Sequence, residues 1–111
     1  MLKLLLILTV LAINNSNGDG VTRVTCGIEG TPHTSDRIDS AVLSTGGRNY
    51  EATDIDGVDF QRYFQLEDEG VIQIDLDFPL CKNLSYTDSI VLKTVHGDVG
   101  APLRSAVNHI K

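Results

Sequence analysis

The chain has 111 residues, nine of them Lys or Arg and fifteen Asp or Glu, for a formal charge of −6. A chain this short builds one small domain and leaves no room for a second. Acidity spread along its length provides no phosphate-binding footprint and argues against nucleic acid as a principal partner. Two cysteines and three histidines without ligand spacing do not make a zinc site, and no metal or cofactor is expected.

Lys3 precedes an apolar run from Leu4 to Ile13, followed by small polar residues that include Ser16 and Gly18. The pattern predicts a secretory leader over 1–18 and a single mature domain over 19–111. The run is too short to span a bilayer; an apolar N-terminal strand is the alternative. In a secreted chain Cys26 and Cys81 are expected to pair, a link worth about 4 kcal/mol of constraint on the unfolded chain. The alternative is two buried free thiols. Asn83-Leu84-Ser85 is a glycosylation sequon. Asn14-Asn15-Ser16 also matches but would leave with the leader.

Val21 to Cys26 is rich in β-branched residues and reads as a first strand. Thr34-Ser35-Asp36 offers helix caps, and Ile38, Ala41, Val42 and Thr45 follow at helical spacing. Gly46-Gly47 would end that helix. Asp56-Gly57 marks a turn. Val58 to Leu66 reads as a strand and Glu67 to Gly70 as a charged turn. The cleanest signal comes next: Ile72, Ile74, Leu76 and Phe78 alternate with Gln73, Asp75 and Asp77, bounded by Gly70 and Pro79. This strand is expected to pair as a hairpin with Val58–Leu66. Ser89 to Val95 is another strand, His96-Gly97-Asp98 a turn, and Arg104 to Ile110 a last short strand. These elements predict an α+β fold: a single helix packed on a four- to five-stranded antiparallel sheet.

Residue chemistry gives three candidate groups. Asp75 and Asp77 lie on the polar face of the alternating strand, where a carboxylate could act as a base or simply face solvent. His109 could join a carboxylate in acid–base work or be structural. Tyr50 and Tyr63 read first as packing residues. No Ser-His-Asp arrangement, phosphate-cradling glycine loop or basic-aromatic patch is present.

Several segments, in order, resemble the small fungal guanyl-type (microbial) ribonucleases. They are Val24-Thr25-Cys26-Gly27, the capped segment Thr34–Leu43, Tyr50 running to Asp56-Gly57-Val58-Asp59-Phe60, Asp77-Phe78-Pro79-Leu80, Tyr86-Thr87-Asp88-Ser89-Ile90-Val91, and Ala106-Val107-Asn108-His109. The resemblance implies a microbial ribonuclease-like fold with Tyr50, Asp77 and His109 as residual catalytic candidates. It also shows departures. The family's histidine position is Ala52, its phosphate-holding arginine position is Ser89, its glutamate is shortened to Asp77, and Gln61–Gln73 resembles an insertion. A second alignment sets Tyr63-Phe64-Gln65 on the glutamate strand and also removes the base. RNA cleavage needs a base, an acid and positive charge at the phosphate, so the resemblance implies a pseudoenzyme.

A secreted ribonuclease-like chain with lost catalytic residues resembles the effectors of powdery mildew and related cereal-infecting fungi. That resemblance implies a monomer translocated into the host cell, binding host plant proteins or, more weakly, RNA, with no membrane partner. It would suppress immunity and be recognised by an immune receptor as an avirulence protein. Two other readings stand beside it. One is an active guanyl-type endoribonuclease using Tyr50, Asp77 and His109, with Lys93 as a substitute cation. The other is an unrelated small disulfide-linked binding module, which a sandwich without a packed helix would favour.

Overall fold

The computed structural model describes residues 6–111; the start of the expected leader, including Lys3, lies outside the described residues. The strands are β1 (Ile7–Ser16), β2 (Val21–Glu29), β3 (Ser35–Thr45), β4 (Arg48–Glu51), β5 (Asp54–Asp56), β6 (Tyr63–Gln65), β7 (Val71–Pro79), β8 (Ser89–Thr94) and β9 (Gly97–Pro102). A single 3-10 helix, Arg104–His109, follows them.

The strands form two antiparallel sheets. One runs β1-β2-β7-β5; the other runs β4-β3-β8-β9, with β6 added to β3. Inward residues of both sheets meet in one cluster: Ile13, Val24, Ile28, Ile74, Leu76 and Phe78 from the first, Ile38, Leu43, Ile90 and Leu92 from the second. Two sheets sharing one core form a sandwich. The chain crosses between them at Ala52-Thr53, where Ala52 N donates to Ala41 O of β3 and Thr53 N to Asp77 O of β7.

The expected α+β architecture is therefore corrected: no α-helix is present among the described residues, and the one helical turn, Arg104–His109, is a short 3-10 segment at the end of the chain. The segment read as that helix is β3. Its register on β8 shifts between Ile38 and Ser40, a β-bulge. The extra residue turns the period-two spacing of inward side chains into a three-residue step, from Ile38 to Ala41, before alternation resumes at Leu43. That step imitates the helical i, i+3 spacing. Gly46-Gly47 does not cap a helix but turns the β3–β4 hairpin, with φ of 58° and 75°. Two consecutive positive φ values are what a two-residue type I′ turn requires, and glycine adopts them freely.

β7 has the alternation expected, with Ile74, Leu76 and Phe78 buried. Its partners differ from the expected hairpin. It pairs with β2 over nine residues and with β5, while Val58–Leu66 contributes only the short β6, held on β3. Arg104–Ile110 is mostly the 3-10 helix instead of a strand. Ile7–Ser16, the heart of the expected leader, forms β1 and pairs with β2 along its length. It buries Leu8 and Ile13 in the core, and its edge takes Lys111 through Asn15 N to Lys111 O and Lys111 N to Ile13 O.

Ile13→Ala should cost about 2–5 kcal/mol, as for other large-to-small changes in a packed core. A chain starting at Asp19 lacks β1 and should lose cooperative urea unfolding altogether. Retention of the full-chain midpoint by either variant would show that β1 does not stabilise the domain.

Candidate functional site

The outer face of the β1-β2-β7-β5 sheet sets charged and hydroxyl side chains in rows. Because β2 and β7 pair in register, their outward residues line up across the strands. Arg23 sits opposite Asp77, Thr25 opposite Asp75 and Glu29 opposite Val71. On the other side of β7, Asp54 is opposite Asp77 and Asp56 opposite Asp75. On β1, Asn14 faces Arg23 and Ile7 faces Glu29.

Four carboxylates thus form two directly opposed like-charge pairs. Arg23 is the single cation set in these rows. Its Nε donates to Asp77 Oδ1 at 2.8 Å and its second guanidinium nitrogen to Asp77 Oδ2 at 3.1 Å, a bidentate fork. That hydrogen bond, then the charges of Asp77, Asp75 and Asp56, push the guanidinium further above its already high range. Thr25 Oγ1 donates to Asp75 Oδ1 at 2.5 Å. Among the described residues, Asp54 and Asp56 accept only from the amides that follow them, Ile55 N and Gly57 N. A hollow of about 460 Å³ lined by Asn14, Ser16, Asp19, Val21, Arg23 and Asp77 opens at this end of the face.

The other end exposes three apolar side chains around Glu29. Ile7, Leu11 and Val71 are 60%, 52% and 51% exposed. The Leu11 side chain lies 3.5 Å from where a Cβ on Gly27 would stand, covering that bare position on the outer face. One sheet face therefore carries exposed apolar side chains around Glu29 toward one end and four Asp toward the other.

The residues expected to act together do not meet. Asp77 is on this outer face, engaged by Arg23. Tyr50 is half-buried on β4 of the opposite sheet and packs against the core. His109 is exposed on the 3-10 helix, which packs against β1. Ala52 lies at the crossover and Ser89 pairs with Ser44 and Pro102 within the second sheet. Asn83 is exposed in the β7–β8 loop.

The expected Cys26–Cys81 disulfide is also corrected: both are free and buried. Cys26 sits opposite Ile74, whereas Cys81 follows β7 beyond Pro79, where its amide donates to Thr22 Oγ1 at 2.8 Å. Thr22 and Cys26 are four residues apart on one strand, roughly 13 Å, and a disulfide needs Cα atoms within about 7 Å. Burial, with Asp75 adding to it, pushes the Cys26 thiol up to about 12. Burial and then Asp88 raise Cys81 as well.

Sequence reasoning missed two further features. His96 Nδ1 lies 3.3 Å from Oδ2 of the buried Asp36, whose Oδ1 accepts from Arg37 N at 2.7 Å. Arg37 also forks onto Asp39 and stacks 5.2 Å over the Tyr63 ring. No group of three or more His, Cys, Asp or Glu among the described residues is placed to hold a metal. No family model matches the chain, and the comparison with curated proteins gives no match.

The thiols generate a first prediction here. A raised thiol pKa means that the unfolded chain releases its proton first, so stability should fall as pH rises from about 9 toward 12. Cys26→Ala should flatten that decline in pH-dependent unfolding. Thiol titration should give two reactive groups in denaturant and protection of Cys26 in the native state. A single covalent link between the two in the native protein would overturn the geometry above. A second prediction concerns Arg23. Its replacement by Ala should destabilise by no more than about 1 kcal/mol, since the pair is solvent-screened, and the loss should shrink in high salt.

Proposed function

We propose that the chain is a small binding module that recognises a protein partner through the outer face of the β1-β2-β7-β5 sheet. The observation that carries this reading is the composition of that face. Ile7, Leu11 and Val71 are exposed at one end of it, and Asp54, Asp56, Asp75 and Asp77 stand in opposed pairs at the other. Exposed apolar side chains rimmed by charge are the usual make-up of a protein-recognition surface. The partner that fits is a protein with an apolar patch beside Lys or Arg. The net charge of −6 disfavours RNA as the occupant.

A sandwich without a packed helix favours the binding-module reading, without the disulfide link expected of it. The effector reading shares its binding role, but its ribonuclease-like scaffold is replaced by two sheets. The catalytic reading loses its motivation with the separation of Tyr50, Asp77 and His109.

Selection of displayed random peptides on the full chain tests the proposal. Enriched peptides should combine apolar residues with Lys or Arg. Their binding should weaken by about tenfold or more, over 1.4 kcal/mol, in Leu11→Ser and in the double variant Asp54→Asn, Asp56→Asn. Both variants should keep the native unfolding free energy within about 1 kcal/mol, as surface changes do. Peptides lacking basic residues, or binding indifferent to both variants, would sink the idea.

A further inference from the structure

A second concave site lies at one end of the sandwich, away from the acidic rows. The two sheets contribute its walls. From one comes the β3–β4 hairpin, with Thr45, Gly46, Arg48 and Tyr50; from the other comes the chain leaving β7, with Leu80, Cys81, Lys82 and Asn83. The hollow holds about 290 Å³, the low end of small-molecule sites.

Directly opposed residues share a sheet face. Tyr50 is opposite the buried Leu43, and Arg48 is opposite Thr45 on the same side of β3. Arg48 therefore leaves β4 on its core-facing side, just past the end of the core. An inward charge on a short edge strand is one way of blocking edge-to-edge pairing, and that would account for Arg48 alone. It does not account for Lys82, which reaches the same hollow from the other sheet. Neither cation has a carboxylate within ion-pair distance among the described residues. The nearby carboxylate, Asp88, is already engaged: its Oδ2 accepts from Thr45 Oγ1 at 2.6 Å and from Ser85 N at 2.7 Å. In a chain of charge −6, two cations from separate sheets converge where no acid lines the wall.

We infer that this hollow binds a small oxyanion, a phosphate or sulfate group carried on a compact organic body. Arg48 offers the planar fork that suits such a group, and Lys82 a mobile point charge. Asn83 adds a neutral donor, and the Tyr50 ring with Leu80 gives the organic body an apolar wall. An oxyanion seated in the hollow would meet a cation from each sheet. The inference does not depend on the outer-face reading.

Amide NMR of the full chain, titrated separately with inorganic phosphate, sulfate, acetate and chloride at constant ionic strength, tests it. Phosphate, sulfate or both should give saturable shifts confined to Gly46, Gly47, Lys82 and Asn83; which of the two binds tighter assigns the ester. Arg48→Ala and Lys82→Ala should each weaken binding by about tenfold or more, the effect of one charge-assisted contact. Lys82→Arg should retain it, and Arg62→Ala and Lys93→Ala should not change it. An equal response to all four anions, or unaltered affinity in both alanine variants, overturns the assignment.

Discussion

The pairing of β2 with β7 is the constraint on which the rest depends. Nine residues of each strand meet in unbroken register, from Val21 opposite Pro79 to Glu29 opposite Val71. That register sends Val24, Cys26, Ile28, Ile74, Leu76 and Phe78 inward. The same register sends Arg23, Thr25, Asp75 and Asp77 outward. A slip of one residue would exchange the two sets, burying the carboxylates and exposing the core. β1 and β5 dock on the outer edges of this pair. The core and the acidic face are thus two sides of one registration.

What was legible in the sequence was the parity of strands whose alternation runs unbroken. β7 and β8 alternate cleanly, and both sides of each were readable. β3 was not, because its bulge places Ile38 and Ala41 three residues apart, and periodicity alone cannot separate that step from a helical turn. β1 has the same difficulty: its register shifts between Val10 and Ala12, and its lack of charge matches a leader as well as a strand. β4 and β5 are too short and polar to carry a pattern of their own. They exist because β3 and β7 offer them edges, which is tertiary information. The expected disulfide rested on compartment and count, and neither reports where along β2 the two thiols fall.

The sites were less legible than the strands. Asp77 was recognisable as an outward carboxylate, but its partner Arg23 lies 54 residues away, and only the β2–β7 register joins them. Arg48 and Lys82 carry no motif. They converge because one sheet ends where the other sheet's loop begins. The likeness to ribonucleases followed short segments in chain order. Order along the chain says nothing about which sheet a segment joins, and Tyr50 and Asp77 belong to different ones.

The acidic face also bears on what the fold itself requires. Outward positions on β5 and β7 need only be polar, and Thr or Lys would serve a strand better than Asp, which is depleted in sheets. The actual residues oppose the fold twice, through poor strand propensity and through like charges set opposite one another, each effect of the order of about 1 kcal/mol or less. The Arg23 fork and the Thr25 hydroxyl offset part of this at Asp77 and Asp75, leaving Asp54 and Asp56 with only their own following amides. At Asp54 and Asp56 the sheet gains nothing from the carboxylates it carries. A partner of opposite charge, as proposed above, would relieve the repulsion among these carboxylates.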